Sequence, residues 1–149
     1  MINKSMDKMK HIFVDSWAWL ALANKKDKYH EVAKEIYNKI KTKEYVMVTS
    51  DYVIDEVVTA LFRNVAVDKA VQFIEAIFEA AKNNLLKIER ITRERFEGAW
   101  MLRKKLHDKP FISFTDLTSF ILMKELSIKK VFTGDTDFEK VNMGFQQLK

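Results

Sequence analysis

The sequence contains no cysteine, which excludes a disulfide framework, a thiolate nucleophile and any cysteine-held zinc or iron–sulfur centre. That absence fits a reducing cytoplasm, where disulfides are rare. Histidine is nearly as scarce: His11, His30 and His107 are scattered and lack the H-x-x-x-H spacing of a zinc pair. Glycine occurs three times and proline once, and neither a Gly-rich phosphate loop nor a G-x-S-x-G nucleophile elbow is present. Long apolar runs are missing too, since no stretch approaches the roughly 18 residues of a membrane span. The opening MINKSMDKMK is charged and has no apolar core of signal-peptide length. A soluble, cytoplasmic chain with no membrane partner is expected.

What is present suffices for a compact core. The chain has 149 residues, 48% of them hydrophobic, and the expectation is one domain spanning residues 1–149. Its net charge of +5, from 26 Lys and Arg against 21 Asp and Glu, favours encounter with polyanions.

Periodicity orders the chain into alternating strands and helices. The apolar run His11–Val14 reads as a strand that stops at Asp15 and turns into an aromatic-rich helix. Lys28–Thr42 places Tyr29, Val32, Ala33, Ile36, Tyr37 and Ile40 at steps of three and four, which predicts an amphipathic helix. Tyr45–Ser50 is short and β-branched, a second strand, after which Asp51 is expected to cap a helix running to Arg63. Helices over Val67–Asn83, Thr92–His107 and Ser113–Leu126 follow, with strands at Leu86–Ile91, Lys129–Gly134 and a short one within Phe145–Leu148. This alternation implies right-handed crossovers, and hence an α/β fold with a central parallel sheet covered by helices on both faces.

In such sheets ligands bind at the carboxyl ends of the strands. Asp15 and Asp135 both stand there, with Asp137 two residues beyond in VFTGDTDF. Asp116 lies in the first turn of a helix, whose dipole is expected to help keep it deprotonated. Glu56 and Asp55 flank the apolar face of YVIDEVVTALF, and the helical wheel does not choose between them. Each acid also has a structural reading: Ser113 and Asp116 fit a capping box, Asp135 and Asp137 suit a turn, and Glu56 alone suits a solvated helix edge. Asp15 resists one, because an acid between IFV and an aromatic helix start is costly to bury unpaired. Taken together, acids from four segments at one sheet edge make an oxygen-only site suited to Mg²⁺ or Mn²⁺, and so to hydrolysis of a phosphodiester.

The stretches FVDSWAWLAL, DKYHEVA, VTSDYVIDEVVTALF, ISFTDLTSFILMKELSIKKVFTGDTDFEKV and GFQQL, in this order from Ile12 to Leu148, resemble a PIN domain of the kind found in VapC toxins of VapBC toxin–antitoxin pairs. The resemblance implies a Mg²⁺- or Mn²⁺-dependent endoribonuclease with Asp15, Glu56, Asp116 and Asp135 as its acids, and thereby selects Glu56 over Asp55. It adds Asp137 as a neighbouring metal position and Ser16 and Thr133 as supporting polar residues. It further implies an RNA substrate, a homodimer, and an apolar groove for a cognate antitoxin, flanked by the helices from Lys28 to Phe62. Two positions depart from the family pattern: Trp17 stands where a small or polar residue is usual, and Gly134 where a bulkier or basic one is frequent. Three other readings are a housekeeping PIN nuclease of RNA processing or decay, a catalytically silent PIN interaction module, and a phosphatase of the haloacid dehalogenase type suggested by D-x-D. The phosphatase reading is disfavoured because its motif follows the first strand, which here ends in Asp15, Ser16 and Trp17.

Overall fold

The computed structural model describes residues 10–149, so most of the charged opening segment lies outside the described residues. In chain order the elements are β1 (His11–Val14), α1 (Ser16–Ala23), α2 (His30–Thr42), β2 (Val46–Ser50), α3 (Asp51–Asn64), α4 (Val67–Lys82), β3 (Leu86–Glu89), α5 (Arg93–Lys105), α6 (Phe114–Glu125), β4 (Lys130–Phe132), α7 (Asp137–Lys140) and β5 (Gln146–Gln147). The five strands form one sheet in the order β3-β2-β1-β4-β5. Every pair is parallel. This is the α/β architecture that the alternating pattern predicts.

The strand order fixes where a site can form. From β1 the chain steps outward to β2 and β3, then returns to the other side of β1 for β4 and β5. Right-handed crossovers therefore put α1 to α4 on one face and α5 to α7 on the other. The contacts agree: α1 packs on α2 and α3, α3 on α4, and α5 on α6. The direction reverses between β1 and β4, and a crevice opens beyond their carboxyl ends at that switch point.

Covering on both faces explains the unbroken apolar strands, since Ile12, Phe13 and Val14 are all fully buried. In α2 the buried side is Ala33, Ile36 and Ile40, whereas Tyr29 and Val32, which the spacing assigns to the same face, are 42% and 50% exposed. Phe120, Phe138 and Phe145 form an aromatic cluster, with Phe120 edge-on to Phe138 at 4.9 Å between centroids. It clamps the short α7 and the segment entering β5 onto α6, each buried ring contributing about 1.5–3 kcal/mol.

Several boundaries shift for local reasons. Ser50, not Asp51, caps α3, its Oγ accepting the Val53 amide at 3.1 Å. Asp51 instead accepts the Ile91 amide at 2.9 Å, drawing the chain out of the ladder after Glu89. Thr92 Oγ1 caps α5 by accepting the Arg95 amide at 3.2 Å, so Thr92 precedes the helix. Strand β4 ends at Phe132 because Thr133 and Gly134 turn toward the site. Among the described residues no helix is long and apolar enough to cross a membrane.

Candidate active site

Register brings the first two acidic segments together. Val14 of β1 pairs with Phe132 of β4, and the Asp15 amide donates to the Phe132 carbonyl at 3.2 Å. Asp15 thus leaves β1 beside Thr133. On its other side, Thr49 Oγ1 donates to the Val14 carbonyl at 2.8 Å and accepts the Trp19 indole N–H at 3.3 Å, which locks the exit of β1 against β2.

Beyond β4 a chain of hydrogen bonds orders the turn. Thr133 Oγ1 donates to Asp15 Oδ2 at 2.9 Å and accepts the Asp135 amide at 3.0 Å. Asp135 Oδ1 accepts the Asp137 amide at 2.9 Å, and Gln147 Nε2 donates to the Asp135 carbonyl at 2.9 Å. Gln147 was not singled out by sequence reasoning. Its only signal was membership of GFQQL beside β4, which does not reveal that its side chain would hold a site backbone.

Asp116 enters from α6. Ser113 Oγ accepts the Asp116 amide at 3.0 Å, one half of the capping box, and this fixes the helix start that carries the acid. The structural reading of Asp116 as a cap partner is therefore correct for its backbone. Its carboxylate does something else: oxygens of Asp15, Asp116 and Asp135 lie within 4.8 Å of one another. Asp116 is 9% exposed and Asp15 2%. Glu56 and Asp137 fall outside this close group, although both are half-buried and Glu56 is the less exposed of the Asp55–Glu56 pair.

Electrostatics follow from the crowding. Burial pushes the Asp15 carboxyl up to about 6, against the donation from Thr133 and the Ser16 backbone, with Asp135 and Glu56 adding repulsion. Asp116 is pushed up to about 8 by burial and then by the charges of Asp15, Asp135, Glu56 and Asp137. This corrects the expectation that the helix dipole keeps Asp116 deprotonated: a dipole term of roughly 0.3–1 kcal/mol cannot offset burial beside four acids. Asp137 is raised by burial and by its neighbour Asp135.

Such a cluster calls for a cation. Asp15 Oδ1 is a buried acceptor with no hydrogen-bond partner among the described residues, and the close group of potential ligands consists of carboxylate oxygens. An orphaned buried acceptor in an oxygen-only set fits a hard divalent ion and suits zinc or copper poorly. Trp17 and Gly134 meet beside this cluster. A Cβ on Gly134 would lie 2.3 Å from Cε2 and Cζ2 of Trp17, so the indole occupies the space a side chain there would need.

The sequence model of the PIN domain matches residues 12–143. The chain belongs to the PIN-domain family. A curated relative, the 23S rRNA-specific endonuclease VapC20 of Mycobacterium tuberculosis, is 33% identical over 127 residues, covering 85% of this chain and 91% of that protein. The crystal structure of M. tuberculosis VapC20, described as a sarcin–ricin loop cleaving toxin, superposes with a TM-score of 0.77 at 32% identity over 91% of this chain and 96% of its own. A second PIN-like neighbour, PAE2754 from Pyrobaculum aerophilum, gives a TM-score of 0.61 at 15% identity, covering 93% of this chain and 90% of that one, and supports the fold alone.

Proposed function

We propose that this PIN domain is a Mg²⁺- or Mn²⁺-dependent endoribonuclease and the toxin of a toxin–antitoxin pair. The observation that carries the reading is the meeting of Asp15, Asp116 and Asp135 at the switch point of the sheet, with Asp15 Oδ1 unpartnered among the described residues. Those three carboxylates would hold the ion, and Asp137 would support it from beside Asp135. When bound, the ion supplies polarisation of phosphate oxygens and a water acidic enough to attack at neutral pH. Thr133 orients Asp15 and the Asp135 backbone together, and Gln147 holds that backbone from β5. Glu56 bears on both Asp15 and Asp116 by charge but stands outside the close group. It is therefore assigned to proton transfer with the attacking water rather than to holding the ion.

The likeness to VapC20 makes ribosomal RNA the first substrate to test, and its sarcin–ricin loop the first cut site. An antitoxin partner is supported by an apolar cleft of about 270 Å³ lined by Trp19, Leu22, Tyr37, Met47, Phe73 and Ile77. It opens between α1, α2 and α4, and we take it, rather than a surface flanked by the helices from Lys28 to Phe62, as the candidate groove. Pairing of two copies is part of the same proposal, supported by Trp100, Met101 and Phe111, which are 53%, 61% and 66% exposed.

The test is incubation of the purified chain with ribosomes and Mn²⁺, followed by mapping of RNA ends. A discrete cut, absent for Asp15→Asn, is the expected result. Intact RNA across ribosomal, transfer and messenger pools, with wild-type protein folded and Mn²⁺ present, would overturn the reading. Expression alone should arrest cell growth, with rescue by the product of the neighbouring gene; harmless expression of an active enzyme favours the housekeeping alternative.

A further inference from the structure

Trp17 and Gly134 are in contact, which joins the segments that follow Asp15 and precede Asp135. The indole of Trp17, two residues after Asp15, lies over the Gly134 backbone, and the Cα of Gly134 is about 3.8 Å from that of Asp135. An aromatic ring is therefore fixed at the rim of the carboxylate cluster, held where a side chain on residue 134 would have excluded it. Trp17 is only half-buried. Its outer neighbour is Tyr29, with ring centroids 5.3 Å apart and planes at 44°. Tyr29 is 42% exposed, and Lys28 Nζ sits 4.9 Å from the centre of its ring. Lys25 and Lys26 follow on the same connection between α1 and α2, both exposed, and Lys69 lines the same surface depression.

We propose that Trp17 and Tyr29 form a stacking platform for an unpaired base flanking the scissile phosphate, with Lys25, Lys26 and Lys28 following the backbone away from the site. This rests on the ribonuclease reading and deepens it by naming how the strand is held. The chemistry is that of single-strand recognition: bases splayed from a loop stack on aromatic faces, and lysines neutralise the phosphates beside them. Tyr29 leaves 42% of its surface in water, and the Lys28 ammonium lies 4.9 Å from its ring centre, which places an exposed aromatic and a cation together. With centroids 5.3 Å apart the two rings already touch, so a base would stack on their outer, solvent-facing side rather than between them. Acids at the centre and lysines on the rim also separate the two tasks, since the ion site takes one phosphate and the basic strip takes those that follow.

The test measures binding and not turnover. A fluorescein-labelled single-stranded RNA of the cleaved sequence, in Ca²⁺ to slow cleavage, is titrated by anisotropy with wild type, Tyr29→Leu and Tyr29→Phe. It is repeated with RNAs carrying one abasic position at a time. Leucine keeps apolar bulk without a π-face, and phenylalanine keeps the face. Tyr29→Leu should weaken binding about 10-fold or more while Tyr29→Phe stays near wild type. One abasic position adjoining the cut should weaken wild type similarly, yet add little to Tyr29→Leu, because base and ring form one interaction. Equal affinity for Tyr29→Leu and wild type, or additive losses at every abasic position, would overturn the platform. Either result can occur with cleavage of the parent RNA intact, so failure of the platform is distinguishable from failure of the ribonuclease reading.

Discussion

The hydroxyl of Thr133 joins both halves of the carboxylate site, donating to Asp15 Oδ2 at 2.9 Å while accepting the Asp135 amide at 3.0 Å. One side chain thereby couples the end of β1 to the turn after β4. Its donation to one Asp15 oxygen leaves the other, Oδ1, buried and free for a cation. A group that orients a metal-holding carboxylate is expected to be worth 10–100-fold in metal affinity. Thr133→Val should therefore weaken Mn²⁺ binding by about that factor, and Thr133→Ser should retain most of it. Isothermal calorimetry on both variants checks this, with a loss for Ser and none for Val pointing to packing of the methyl instead.

Asp135 and Asp137 should separate in strength. Asp135 belongs to the close group, whereas Asp137 meets it through a backbone amide that donates to Asp135 Oδ1. Asp135→Asn is expected to abolish cleavage nearly completely, and Asp137→Asn to cost roughly 10–100-fold. A fluorescent RNA at fixed Mn²⁺, with circular dichroism as the folding control, measures both. A larger loss for Asp137→Asn would reverse the roles of the pair.

Much of this is legible in the sequence alone. The alternation of apolar strands and amphipathic helices is enforced by burial on both sheet faces, so β1 to β4 and the longer helices could be read from periodicity. The acids at strand ends were legible because an Asp cutting an apolar run, as Asp15 does, has few structural uses. The coupling of Trp17 to Gly134 was not, since two residues 117 positions apart by their numbers come into contact only when β1 and β4 pair. The raised value of Asp116 was also hidden: a helix start predicts a lowered one, and burial, followed by the convergence of the other acids, pushes it up to about 8. Ser50 was missed as the α3 cap because Ser and Asp stand side by side and both cap well.

Trp17 and Gly134 should show strong coupling in stability. A Cβ at residue 134 would sit 2.3 Å from two indole carbons, far inside contact distance. Gly134→Ala should cost about 1–3 kcal/mol by overpacking. In a Trp17→Ala background the same change should cost little, and urea unfolding of the two single variants and the double variant provides the cycle. Additive losses would mean that the indole simply moves aside.

The raised carboxyls set a pH dependence of definite sign. Asp15 and Asp116 bind protons more tightly folded, at about 6 and about 8, than in the unfolded chain. Their contribution to stability is fully present below about pH 4 and is lost as pH rises through 6 to 8. Glu89 and Glu125, held below the usual range by pairing that includes Arg95, are already ionised in that window and add no slope. The melting temperature in chelator should thus fall between pH 5 and 8.5, more steeply for wild type than for Asp116→Asn. Equal slopes would show that Asp116 does not titrate in that range.

The most direct test of the account is calorimetric titration of Mn²⁺ into wild type and into an Asp15→Asn, Asp116→Asn double variant at pH 8. The account predicts saturable binding with a rise in melting temperature for wild type. It predicts neither for the double variant, which should stay folded because no apolar core is removed. Absence of binding to wild type, or equal binding by both proteins, would contradict a metal centre built on these carboxylates.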